Sequence, residues 1–236
     1  MRKSASFLVV VLFFAFAVIA ARAQSDDQKF EVGGQFSVLR VPTRSISAAT
    51  VACIVAPCPT AIATVENHDT NYGFGGRFGY RLSEYLTLEG EGNFFPRDGV
   101  LDGGQKTQAF FGVKAGKRFE NFGVFAKARP GFARYSRGDY RFGTGGCIAV
   151  FPPPIGCYQP VARTNFAIDL GGVFEFYPTK RTIIRFDAGD TIVRLPARNL
   201  AAFQTSPPTI FTLVVIPATA ETRHNFQAGV GFGFRF

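Results

Sequence analysis

From residue 29 onward the chain repeatedly alternates apolar and polar side chains over runs of ten residues or more, each run bounded by turn signals. In an extended strand successive side chains point to opposite faces, so each run predicts a strand with one apolar and one polar face. The predicted strands are Lys29–Leu39, Asn71–Leu82, Leu86–Phe95, Thr107–Phe119, Phe122–Tyr135, Arg163–Tyr177, Arg181–Leu195 and Arg223–Phe236. In the last of these, Phe226, Ala228, Val230, Phe232, Phe234 and Phe236 oppose Asn225, Gln227, Gly229, Gly231, Gly233 and Arg235. Strands of soluble sheets usually have about five or six residues, whereas a tilted strand needs about nine to eleven to cross a bilayer. Phe is 28 and Gly 26 of the residues, with no Trp, a composition suited to bending strands faced with rings. The expected fold is all-β: an eight-stranded antiparallel transmembrane up-and-down barrel.

The connections support this reading. Those near residues 83, 120 and 179 are tight, while 40–70, 96–106, 136–162 and 196–222 are long. Transmembrane barrels show this bias, with short turns at one end and long loops at the other. Pro130 is expected to break its ladder locally, at a bulge or a strand end. Ahead of the barrel, Arg2 and Lys3 precede an uncharged apolar run, Phe7 to Ala20, and then Ala21-Arg22-Ala23. That order predicts a signal peptide over residues 1–23 and a mature barrel domain over 24–236. The alternative, a retained membrane helix, needs about 20 apolar residues. Without Arg2, Lys3 and Arg22 the chain has 23 basic and 17 acidic residues, a net +6. For an exported chain this excess points to an anionic membrane surface and away from nucleic acid.

The polar faces carry six acids, Glu31, Glu89, Glu91, Asp169, Glu175 and Asp187. They also carry six bases, Arg77, Lys114, Lys127, Arg129, Arg185 and Arg235. Eight strands enclose a lumen just wide enough to fill with side chains, and buried charges persist when paired. A lumen crossed by ion pairs is therefore expected, with a proton or ion path as the alternative. The stretch Arg185-Phe-Asp-Ala-Gly-Asp190 reads as part of that plug.

The end of the chain, Phe232-Gly-Phe-Gly-Phe-Arg-Phe236, resembles the C-terminal strand signal of outer-membrane barrels. With the leader and the eight strands, the whole mature chain resembles the small OmpA/OmpX-type outer-membrane barrel superfamily. The resemblance implies an integral protein of the bacterial outer membrane. It also implies recognition of Phe232, Phe234 and Phe236 by the barrel assembly machinery. No peptidoglycan-binding module is expected after the last strand, and a monomer is expected.

The four cysteines fall in long loops, as Cys53-x4-Cys58 and Cys147-x9-Cys157. Export favours oxidation, and the shortest closures predict Cys53–Cys58 and Cys147–Cys157. A metal site is disfavoured, because neither His68 nor His224 stands at ligand spacing from them. Pro57, Pro59 and Pro152-Pro153-Pro154 stiffen the same loops, which suits recognition of an external ligand as well as resistance to proteolysis. Arg40, Arg44, Arg97, Arg134, Arg137, Arg141, Arg163, Arg194 and Arg198 outnumber the acids of that end. They form either a solvated rim or a contact for anionic lipid headgroups. For a lipid-modifying enzyme the best pair is His224 with Ser206, but no G-x-S-x-G motif is present. No cofactor, metal or catalytic residue is expected. The expected role is non-catalytic: membrane integrity, surface adhesion or ligand recognition, with a narrow porin-like channel as the runner-up.

Overall fold

A computed structural model describes residues 28–50, 60–143, 155–206 and 210–236. The leader, Cys53, Cys58 and Cys147 lie outside the described residues. Ten strands form: β1 (Phe30–Thr50), β2 (Thr60–Arg81), β3 (Leu86–Phe95), β4 (Lys106–Arg118), β5 (Phe122–Phe142), β6 (Tyr158–Phe176), β7 (Thr182–Leu195), β8 (Arg198–Ser206), β9 (Ile210–Ala218) and β10 (Glu221–Arg235). Each of β1 to β6 pairs antiparallel with the next, β7 pairs with β10, and β10 returns to β1. Eight strands thus close an antiparallel barrel, and β8 and β9 stand outside the cycle.

The closure brings the two ends of the barrel chain together. Phe30 and Phe236 exchange backbone hydrogen bonds of 2.9 and 3.0 Å, and their rings stack with centroids 6.0 Å apart. The three tight turns lie at this same end. In the first, Ser83 Oγ accepts from the amides of Tyr85 and Leu86; in the third, Thr179 Oγ1 accepts from those of Arg181 and Thr182. Such side-chain acceptors stand in for the ladder where the strand reverses.

The barrel is built inside out. Phe36, Tyr72, Phe74, Phe111, Phe132, Phe166, Phe186, Phe226, Phe232 and Phe234 are exposed on the wall, while 25 polar or charged side chains among the described residues are buried. In water this distribution would be prohibitive. In a bilayer the rings meet lipid, and closure of the ladder pairs the strand edges that an open sheet would expose. Small inward residues make room for large ones. Phe95 lies over Gly73 and the Arg77 guanidinium over Gly231, where a Cβ would stand 2.5 and 2.7 Å from them.

Several strands run well beyond their predicted ends. The β1–β2 ladder continues through Thr50 and Thr60, β5 reaches Phe142, and β6 begins at Tyr158. The segment 196–222, expected to be a loop, carries the β8–β9 hairpin, and β8 pairs parallel with β1 at Ser45–Ser47. Beyond the bilayer neither face has to be apolar, so alternation fades while backbone pairing persists. Pro130, lacking an N–H, coincides with a gap in the β4–β5 ladder between Phe110↔Gly131 and Val113↔Ala128. The bulge of β5 lies further along, between Tyr135 and Asp139.

Candidate functional site

The lumen is the largest concentration of chemistry in the molecule. Alternation sends every second side chain inward, and the register of neighbouring strands brings opposite charges level. Nearest the turn end, the Lys114 ammonium stands 2.6, 3.0 and 3.1 Å from Glu175, Glu31 and Glu89. Those three carboxylates lie close enough together to hold a metal ion, but Lys114 already supplies the cation between them. Arg118 joins the layer, donating to Glu31 at 2.6 Å and to the Tyr177 hydroxyl at 2.9 Å. Further up, Arg185 donates to Glu89 at 2.5 Å and to Asp187 at 2.7 Å. Arg129 pairs with Glu91 at 2.6 Å, Glu89 at 3.3 Å and Asp169. Lys127 bridges Asp169 and Asp187 at 3.1 and 3.2 Å.

All twelve residues singled out for the lumen are buried there or nearly so, and ten of them form this mesh. The two exceptions are Arg77 and Arg235, which make no ion pair among the described residues. Arg77 Nη1 and Nη2 are buried without a hydrogen-bond partner, and Gln35 Oε1, Asp169 Oδ1 and Arg235 Nε are orphaned likewise. Arg235 instead lies over the Tyr177 ring, 4.0 Å from its centroid. In the ladder Arg77 stands level with Glu91 and Arg235 with Glu31, but those carboxylates are taken by Arg129 and by Lys114 and Arg118. Arg118 was not singled out from the sequence. It shares the inward parity of Lys114, four residues on, and that signal was available.

A second tier closes the loop end. Lys106 donates to Asp102 at 2.9 Å and to Asn71 at 3.0 Å. Gly103 and Gly104, with φ of 90° and 76°, turn the loop so that Asp102 faces Lys106. Level with it and on its turn side Phe110, Ala133, Tyr135, Ala167, Val193 and Leu195 pack as an apolar layer. Glu221 then collects three guanidinium groups, Arg44 at 2.6 Å, Arg198 at 2.7 Å and Arg223 at 2.8 Å. Burial opposes the charge of Glu221, but Arg223, Arg198 and Arg44 outweigh it and hold its carboxyl below the usual range. At Asp139 burial is likewise outweighed, by the Asn199 amide and the Arg163 guanidinium, and its carboxyl is lowered. The Asp139 Oδ1 to Asn199 N hydrogen bond, 2.9 Å, fastens the start of β8 to β5.

These contacts change the reading of the basic rim. Arg44, Arg97, Arg137, Arg163 and Arg198 are each paired with an acid. Arg40, Arg134, Arg141 and Arg194 are exposed and make no ion pair among the described residues. His224 faces outward from β10 and shares a 2.5 Å hydrogen bond with Asp190, while Ser206 ends β8 opposite Ile210. Cys157 is buried and is not a free thiol.

No known protein-family profile matches the chain, and no curated protein matches it. Solved structures do. The N-terminal barrel domain of Pseudomonas aeruginosa OprF matches at 12% identity over 86% of this chain and 99% of that one, with a TM-score of 0.38. Neisserial surface protein A matches at 12% over 88% and 97%, TM-score 0.43. Outer membrane protein H of P. aeruginosa matches at 13% over 88% and 99%, TM-score 0.41. The chain's own closed pairing and inside-out burial establish its architecture, an eight-stranded antiparallel barrel with an apolar outer wall and a charged lumen.

Proposed function

We propose that this chain is a non-catalytic integral protein of the bacterial outer membrane, exported by cleavage of residues 1–23. Its barrel is a plugged anchor, and its extended loop end performs recognition or adhesion at the cell surface. The observation that carries this reading is the ion-pair mesh centred on Glu89, which links β3, β4, β5 and β7 across the lumen. A lumen filled in this way holds the wall together from within and leaves the long β1–β2 and β8–β9 hairpins as the parts free to meet a partner.

The reading includes two braces, Cys53–Cys58 and Cys147–Cys157, which fits the absence of a free cysteine among the described residues. Peptide mapping without reductant checks it. The outward aromatics Phe232, Phe234 and Phe236 would serve the assembly machinery. Arg40, Arg134, Arg141 and Arg194 are the arginines left for anionic lipid headgroups. Conductance across a planar bilayer tests the plug: the reconstituted monomer gives no steady current. A second reading, a narrow channel, draws on the orphaned polar atoms of Arg77 and Gln35, which water would satisfy. Regular ohmic steps would establish that reading and end the first.

A further inference from the structure

The barrel wall has a seam. The β1–β10 ladder stops at Leu39↔Gln227, yet β1 continues with β2 to Thr50 and β10 continues with β7 to Glu221. Above Leu39 the two strands part, and β1 is next met on that side by β8 only at Ser45. Pro42 falls in the parted stretch, where a missing N–H costs nothing. On the outer surface the parting leaves a groove lined by Arg40, His68, Gly189, Asp190, His224 and Phe226.

This groove differs from the rest of the wall. Below it the surface is aromatic, with Phe36 and Tyr72 stacked at 6.1 Å. Within it stand one guanidinium, two imidazoles and one carboxylate. Asp190 Oδ2 engages His224 Nδ1 at 2.5 Å, which fixes the ring and leaves Nε2 unengaged among the described residues. Asp190 Oδ1 is buried and has no donor. A buried acceptor without a donor is costly unless a ligand or water supplies one. The groove therefore offers cationic and imidazole donors for an anion beside an acceptor that lacks a hydroxyl or ammonium donor, with rings directly beneath.

We propose that the seam is a docking site for the headgroup of a phosphorylated glycolipid of the outer leaflet. Its phosphate would lie on Arg40 and His68. A sugar hydroxyl would donate to Asp190 Oδ1, and its acyl chains would run down over Phe226, Phe36 and Tyr72. The arrangement suits an amphiphile at the membrane interface, because charge and apolar surface follow one another along the wall. The proposal rests on the outer-membrane reading and names one lipid site within it.

Native mass spectrometry of the full mature chain in detergent tests this, with three probes: monophosphoryl lipid A, its dephosphorylated form, and phosphatidylmethanol, an anionic phosphodiester without a headgroup hydroxyl. Folding of each variant is checked by its heat-sensitive gel mobility. The wild type should prefer monophosphoryl lipid A over both other probes. R40Q should weaken both phosphorylated probes about tenfold, the worth of one hydrogen bond to a charged group. D190N should erase the preference for the glycolipid over phosphatidylmethanol while leaving phosphatidylmethanol bound as before. Folded R40Q and D190N that bind all three probes like the wild type would overturn the proposal. If R134Q/R141Q lowers binding and the seam variants do not, the seam is refuted while rim contact stands. Failure of the wild type to insert into bilayers would instead sink the barrel reading itself.

Discussion

Replacing Arg129 by Met removes a fully buried cation from among Glu91, Glu89 and Asp169. The three carboxylates are not equally affected. Asp169 keeps Lys127 at 3.1 Å, and Glu89 keeps Arg185 and Lys114. Glu91 keeps only a 2.7 Å hydrogen bond from Asn93 Nδ2 among the described residues. At its 2.6 Å separation the Arg129–Glu91 attraction is about 6 kcal/mol before desolvation, with an effective dielectric of about 20. Breaking a buried pair on one side costs about 3–5 kcal/mol, because the remaining charge is stranded. R129M should therefore lose about that much in equilibrium urea unfolding from phospholipid vesicles, followed by circular dichroism and gel mobility. Neutralising the stranded partner as well, in R129M/E91Q, should recover about 2–3 kcal/mol, the coupling expected of residues in one network. A single-variant loss below about 1 kcal/mol, or two substitutions whose effects simply add, would show that the lumen is wet enough to screen its charges. The lumen would then not be a plug.

Three further outcomes follow from the geometry. Phe111 is 62% exposed on the wall; Phe111→Arg should destabilise the inserted barrel by about 2–4 kcal/mol if it lies near the membrane midplane, and an unchanged unfolding curve would place that face in water. Glu221→Gln removes the carboxylate shared by Arg44, Arg198 and Arg223, so trypsin should cut the folded protein at Arg198 faster than in the wild type; equal rates would mean that the hairpin is held by its backbone alone. The Asp139 carboxyl is lowered in the folded state, so its contribution is present above the ordinary carboxyl value of about 3.9 and is lost as pH falls through the lower folded value. Exchange protection of the Asn199 amide should accordingly stay flat from neutral pH down to about 4 and decline only below it; loosening at higher pH would contradict the assignment.

Much of the lumen was legible in advance because the strand period is two. Once Glu89 and Glu91 are placed on the polar face of β3, and Arg129 on that of β5, parity alone sends them inward. Arg118 shares the parity of Lys114 on β4, so the same alternation sends it inward. The extensions of β1, β2, β5 and β6 were hidden for a physical reason. Outside the bilayer water meets both faces, so the residues from Arg40 to Thr50 have no need to alternate even though they are paired throughout. The β8–β9 hairpin was hidden likewise, since its place beside β1 depends on a contact between Ser45 and Phe203 that no local pattern announces.

By itself the sequence determined the face of each membrane-crossing side chain, because alternation in an extended chain is a local property of the backbone. Tertiary structure alone decided the pairings. Arg185 meets Glu89 across 96 residues of chain, and Lys114 meets Glu31 across 83, because the register of strands far apart in sequence is set only when the barrel closes. The same closure decided where the wall parts between β1 and β10, and so brought His224, Asp190, Arg40 and His68 to one groove.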